Sequence, residues 1–110
     1  RALLRRVQPQ DEELLTFADL RLDTATREVL RGARLIDLTT REYELLLLFL
    51  RHPRRVLTRE QILEQVWGST YVESNAIEVH VGRLRDKLEA AGEPRLIQTL
   101  RGAGYALREG

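Results

Sequence analysis

The chain has 110 residues, of which 43% are hydrophobic and 32% charged, which suits one buried core and is too short for two. No stretch approaches the roughly 18–20 apolar residues that cross a membrane, and the absence of cysteine excludes disulfides, thiolate nucleophiles and cysteine-based metal centres. The only two histidines, His52 and His80, lie far apart, which excludes a histidine-rich metal site. The net charge of +1 does not by itself indicate nucleic-acid binding. We therefore expect a soluble, cytoplasmic protein that needs no metal or cofactor.

Residues 1–13 are polar and charged, and we predict that they are the end of a linker, or else a terminus without a role. Because the chain starts with arginine, we expect it to be part of a longer protein. The folded domain is predicted to span 14–110. Its first part consists of short apolar or alternating runs, separated by turn-prone residues at Asp19, 23–26 and Gly32. This spacing predicts three or four short antiparallel strands.

The first predicted helix follows these strands directly. Thr39 or Thr40 is placed to cap it, and Glu42 lies near the third helical position, as in a capping box. Pro53 is expected to end the helix. Because its residues are apolar nearly all round, this helix is predicted to be the central core helix.

Two more helices are predicted after the proline. Thr58 and Gln61 form a second capping-box pattern, and Gly68 is a natural stop for that helix. A third helix is predicted over 74–90, opening at Ser74. At about 100° per residue its apolar positions fall within a narrow arc. These positions are Ile77, Val81, Leu84 and Leu88.

The chain ends in a predicted β-hairpin. The runs RLIQTL and YALRE are short strands, and Arg101–Gly104 joins them through a Gly-Ala-Gly turn. The order is therefore sheet, three helices and hairpin, an α+β arrangement. A helix, a turn and a second helix with one apolar and one mixed face indicate a helix-turn-helix, and the hairpin after it corresponds to a wing.

Three segments carry a family resemblance. LTREQILEQVWG, ESNAIEVHVGRLRDKL and IQTLRGAGYAL, in this order and spacing, resemble the C-terminal effector domain of the OmpR/PhoB family of response regulators. The resemblance runs from about Leu14 to the end. It implies a winged helix-turn-helix with an N-terminal four-stranded antiparallel sheet, and sequence-specific binding of double-stranded DNA as the output of a two-component system. It further implies an upstream receiver domain and sensor kinase, head-to-tail dimers on direct repeats, and contact with RNA polymerase through loop 68–73.

The third helix also has a physical interpretation that does not depend on the family. An α-helix fits the major groove of DNA, where each base pair presents its own pattern of donors and acceptors. A helix that reads bases needs an apolar back and a front with short and polar side chains. Gly82 is an anomaly on this front because it costs about 1 kcal/mol of helix stability relative to alanine; close approach of a backbone is one reason for it. The residues predicted to contact bases are Asn75, Ala76, Val79, His80 and Arg83 in the helix and Arg101 in the wing.

The wing, 99–105, is predicted to lie at the minor groove. Glycines allow its turn to adopt positive φ and to lie close to another backbone, and an arginine at its tip suits a narrow A·T-rich minor groove. Phosphate contacts are expected, largely from the resemblance, at Arg59, Trp67, Arg85, Thr99, Gly102 and Tyr105.

One alternative from a different class remains open at this point. A winged-helix module that binds a protein instead of DNA is favoured by the near-neutral charge and by the acidic Glu78 and Asp86 near the recognition face. An enzyme is not expected, because the sequence has no nucleophile–base pair, metal-ligand spacing or catalytic motif.

Overall fold

The computed structural model describes residues 12–69 and 74–110. The chain divides into two compact units, one ending at Asp37 and one beginning at Leu38. Within the described ranges, none of the helices has both the length and the apolar character needed to span a bilayer. The predicted linker, 1–13, lies outside the described residues as far as residue 11.

The first unit is a four-stranded antiparallel sheet in which each strand pairs with the next. Its strands are β1 (Leu14–Phe17), β2 (Leu20–Asp23), β3 (Glu28–Arg31) and β4 (Arg34–Ile36). Leu22 pairs with Val29, and both side chains are almost fully buried. Glu13 also joins this unit, because its N–H donates to Thr24 Oγ1 at 2.6 Å and its carbonyl accepts the Thr24 N–H at 2.9 Å. The predicted antiparallel sheet is confirmed, and the strand count is four.

The second unit opens with α1 (Thr40–Arg51), and Thr39 is its cap. Thr39 Oγ1 accepts the Glu42 N–H at 3.2 Å, while Glu42 Oε1 accepts the Thr39 N–H at 3.0 Å. The predicted capping box is therefore confirmed. Six residues of α1 are buried, as expected of a core helix, whereas the apolar Leu47 and Leu48 are only half-buried.

The second helix begins as predicted but does not remain α-helical. Thr58 and Gln61 form the expected capping box, with backbone-to-side-chain hydrogen bonds of 2.9 and 3.1 Å. After α2 (Arg59–Ile62) the chain continues as a π-helix, Leu63–Trp67, and ends at Gly68 with φ of 71°. A π-helix widens the turn because each N–H bonds to a carbonyl five residues back. Sequence periodicity predicts a helix here but not this change of pitch.

The third helix, α3 (Ala76–Leu88), starts two residues later and ends two residues earlier than predicted. Ser74 and Asn75 form a turn, and the Asn75 side chain makes no capping hydrogen bond. The predicted apolar stripe is confirmed. Its members are between 0% and 2% exposed: Ile77, Val81, Leu84 and Leu88.

The unit closes with a hairpin of β5 (Ile97–Leu100) and β6 (Gly104–Leu107). Backbone hydrogen bonds also join β6 to the segment before α2, including one from the Arg54 N–H to the Leu107 carbonyl at 2.8 Å. The Leu57 N–H donates to the Tyr105 carbonyl at 2.8 Å, and the Tyr105 N–H donates to the Leu57 carbonyl at 3.0 Å. The predicted wing is therefore attached directly to the start of the helix-turn-helix.

Candidate nucleic-acid interface

The side of α3 that faces away from its buried stripe is open to solvent. Asn75 and Arg83 are exposed, and Ala76, Val79 and Gly82 are half-buried. Within residues 12–69 and 74–110, no side-chain hydrogen bond or ion pair holds Asn75 or Arg83. Both side chains are thus available to a molecule that approaches this face.

One flank of α3 is tied to the start of α2 through an ion pair. Arg59 Nη1 donates to Glu78 Oε2 at 2.6 Å, and Arg59 Nη2 donates to the Ser74 carbonyl. Burial raises the pKa of Glu78, but the hydrogen bond and charge of Arg59, with a backbone hydrogen bond, outweigh burial and leave that pKa below its ordinary value. Glu78 is therefore charged at neutral pH and neutralises the nearest cation.

The same flank of α3 also holds the hairpin. Arg85 Nε and Nη2 donate to the Ile97 carbonyl at 2.9 and 2.6 Å, and Nη2 also donates to Thr99 Oγ1 at 2.7 Å. The guanidinium lies 5.9 Å from the centre of the Tyr105 ring, a cation–π distance. Burial and the nearby positive charge of Arg95 lower the pKa of Arg85 from its ordinary value.

The opposite flank of α3 is tied to α1. Lys87 Nζ donates to Glu42 Oε1 at 2.6 Å, and Glu42 is only 2% exposed. Burial raises the pKa of Glu42, but hydrogen bonds from Lys87 and the Thr39 backbone, with the Lys87 charge, leave it below its ordinary value. The same carboxylate therefore completes the capping box of α1 and anchors α3.

Trp67 lies between α1 and α3 at the end of the π-helix. Its ring meets the His80 ring edge-on, with centroids 5.2 Å apart and an interplanar angle of 82°. The Arg41 guanidinium lies 5.1 Å from the centre of the Trp67 ring and donates to the Val66 carbonyl. His80 Nδ1 lies 2.8 Å from the Ala76 carbonyl oxygen, so its Nε2 is the ring nitrogen left for other partners.

The wing turn borders a cavity of about 490 Å³ that Arg59 and Glu78 also line. Arg101 and Gly102 are exposed at the turn, and φ of 74° at Gly102 fits the predicted positive-φ turn. Gly104, with φ of 140°, packs against the Leu57 backbone. The wing therefore presents an arginine at its tip while its base is fixed.

The family described as "Transcriptional regulatory protein, C terminal" matches residues 32–107. The chain belongs to this family. It is 58% identical to the response regulator MprA of Mycobacterium avium (strain 104), over 99% of this chain and 50% of that protein. The chain thus spans about half the length of the curated relatives it matches.

Solved structures identify the type of winged helix. The Klebsiella pneumoniae RstA DNA-binding domain, solved in complex with the RstA box, superposes with a TM-score of 0.78 at 30% identity, over 87% of this chain and 97% of that one. The Thermotoga maritima response regulator DrrB, an OmpR/PhoB homolog, superposes with a TM-score of 0.75 at 31% identity, over 86% of this chain and 44% of that one. The chain has the OmpR/PhoB-type winged helix-turn-helix fold, as the sequence predicts.

Within this OmpR/PhoB-type domain the predicted contact residues differ in how accessible they are. Arg85 donates to Ile97 and Thr99, and Tyr105 is only 9% exposed. These two residues fix the hairpin on α3, and their role as phosphate contacts stays a prediction. The predicted contacts that remain accessible on α3 and the wing include Asn75, Val79, Arg83, Arg101 and Gly102.

Sequence reasoning missed the ties that orient α3. Glu42 carries a visible capping signal, but its pairing with Lys87, which is 45 residues away, has no local signature. Arg41 and Glu78 likewise acquire their roles only through contacts between helices. The predicted polymerase-contacting loop, 68–73, lies outside the described residues from 70 to 73.

Proposed function

We propose that this domain binds double-stranded DNA in a sequence-specific manner, as the output domain of a two-component response regulator. The observation that carries the proposal is the way in which α3 is held and exposed. Its apolar stripe is buried and its flanks are tied by Arg59, Arg85 and Lys87, while Asn75 and Arg83 remain exposed. A helix held rigidly with one polar face outward is suited to the major groove.

In this proposal each element has a defined task. On α3, Arg83 donates two hydrogen bonds to the edge of a guanine, and Asn75 hydrogen-bonds to adenine or to a phosphate. Small and apolar side chains at Ala76 and Val79 approach thymine methyl groups, and His80 Nε2 reaches a base or a phosphate. Arg101 enters the minor groove. The proposed phosphate contacts are Arg59, Trp67, Arg85, Thr99, Gly102 and Tyr105.

We also propose the assembly that the family resemblance implies. The remaining half of the full-length protein would hold a receiver domain controlled by a sensor kinase. The domain would bind direct repeats as a head-to-tail dimer with half-sites about one helical turn apart, and loop 68–73 would contact RNA polymerase. No catalytic role is proposed, and the site of action is the cytoplasm, where bacterial DNA is accessible.

The test is selection from a random duplex library, followed by titration of the selected duplex with Arg83→Ala. We expect affinity to fall by about 1–3 kcal/mol and preference to relax at one base pair, because a bidentate contact is lost. Arg21→Ala is the control, since it removes the same charge from an exposed position on β2. Equal effects of the two substitutions would refute the assignment of α3.

A protein-binding module is the second candidate, favoured by the net charge of +1 and by Glu78 and Asp86 on α3. Salt dependence separates the two functions. Each neutralised phosphate contributes about 0.9 to the slope of log affinity against log salt. A slope near zero together with no enriched sequence would favour the protein-binding candidate.

A further inference from the structure

Arg59 is engaged inside the protein although it is also a proposed phosphate contact. Its Nη1 donates to Glu78 Oε2 at 2.6 Å and its Nη2 donates to the Ser74 carbonyl. Two of the five N–H donors of its guanidinium are therefore engaged within the domain, and its charge is paired with that of Glu78. Arg83 and Arg101, by comparison, have no ion pair within the described residues.

The Arg59–Glu78 pair is accessible enough to exchange partners. The side chains are 39% and 52% exposed, and both line the cavity beside the wing turn. Exposed ion pairs are weak because water screens the charges. A phosphate at the mouth of this cavity would compete with the Glu78 carboxylate for the Arg59 guanidinium.

We propose that Glu78 competes with DNA phosphate for Arg59 and thereby lowers the affinity of the domain for every duplex without changing its sequence preference. The inference rests on the proposed function. Phosphates are the same in all sequences and carry no base information, so the competition acts equally on target and non-target DNA. An exposed pair has the strength to weaken binding about twofold to fivefold.

The first experiment uses the free domain and needs no DNA. NMR titration of the Glu78 carboxyl group in the wild-type domain and in Arg59→Gln tests whether the pair exists in solution. We expect the pKa of Glu78 to rise towards its ordinary value in the variant, because Arg59 supplies the hydrogen bond and charge that lower it. An unchanged pKa would overturn the inference, whatever the domain binds.

The second experiment measures affinity for a selected duplex and for a random duplex with Glu78→Gln. Asp86→Asn is the matched control, because Asp86 is an exposed acid on the same helix for which no ion pair is seen in the described part of the chain. We expect Glu78→Gln to tighten binding to both duplexes about twofold to fivefold more than Asp86→Asn does. The salt slope should steepen by up to about 0.9, because one more phosphate is neutralised.

The advantage of Glu78→Gln over Asp86→Asn should vanish in an Arg59→Gln background, because no guanidinium remains to be released. Equal tightening by the two variants in the wild-type background would overturn the inference, as would weaker binding or an altered base preference for Glu78→Gln. If the wild-type domain binds no duplex even at low salt, the proposed function itself fails. These results are distinguishable because only the last one is a failure of the wild-type domain to bind DNA.

Discussion

Gly104 is the position at which one added methyl group should disturb the wing most. A Cβ there would overlap the Leu57 carbonyl oxygen and would lie 2.9 Å from its carbonyl carbon. The backbone also has φ of 140°, which side-chain-bearing residues rarely adopt. Gly104→Ala must therefore both strain the backbone and separate β6 from the segment before α2.

The expected loss of stability follows from the hydrogen bonds that the separation breaks and from the backbone strain. The Leu57–Tyr105 bridge contributes two backbone hydrogen bonds, of 2.8 and 3.0 Å. Each is worth about 1 kcal/mol net, and an unfavourable φ costs about 1–3 kcal/mol. We expect Gly104→Ala to lower the free energy of unfolding by roughly 3–5 kcal/mol.

Gly102→Ala is the matched control in the same turn. Gly102 has φ of 74°, but open space surrounds the added Cβ, so only the backbone strain of about 1–2 kcal/mol applies. Urea unfolding followed by circular dichroism and by the emission of the single tryptophan, Trp67, measures both variants. Losses of equal size would refute the argument that close packing against Leu57 explains Gly104.

Three further predictions concern the core, the pH dependence and the wing. Leu84→Ala should cost about 2–5 kcal/mol, seen as a lower urea midpoint, because Leu84 is fully buried; a midpoint near wild type would contradict the orientation of α3. Since the pKa of Glu42 is lowered from 4.5 in the folded state, its stabilising contribution is complete above that value and is lost as pH falls through the folded pKa. As pH falls, the free energy of unfolding should therefore decline less steeply in Glu42→Gln than in the wild-type domain. Parallel curves for the two proteins would argue against the Lys87 pair. Arg101→Ala should weaken binding mainly to sites with A·T-rich flanks in mobility-shift titrations, and equal losses with G·C-rich flanks would exclude minor-groove reading.

Most of the helices and strands were predictable because their sequence signals lie within a few residues of one another. The capping boxes at Thr39 and Thr58 depend on residues three positions apart, so both were visible in the sequence and are present in the structure. The apolar stripe of α3 repeats at helical spacing, and its four members are buried. The boundaries of the strands were also predictable, because each turn type requires particular residues within a few positions.

Features that depend on contacts between distant residues were not predictable. The π-helix at Leu63–Trp67 has no sequence signature, and a carbonyl within it is met by Arg41 of α1. A helical wheel predicted the position of Arg85 beside the exposed face of α3 but not its hydrogen bonds to the Ile97 carbonyl and to Thr99. A helical wheel gives the direction in which a side chain leaves the backbone and not the partner that it finds.

The same contacts explain why net charge is a poor guide to function here. Arg59, Arg85 and Lys87 are all cations on α2 or α3, yet each is engaged by a carboxylate or a carbonyl within the domain. Arg83 and Arg101 remain exposed on the proposed DNA-binding surface. In the proposed function, discrimination between sequences comes mainly from the fit of α3 in the groove, because phosphate contacts carry no base information. In the same proposed function, the Arg59–Glu78 pair that ties α3 to α2 also reduces the positive charge available for non-specific binding.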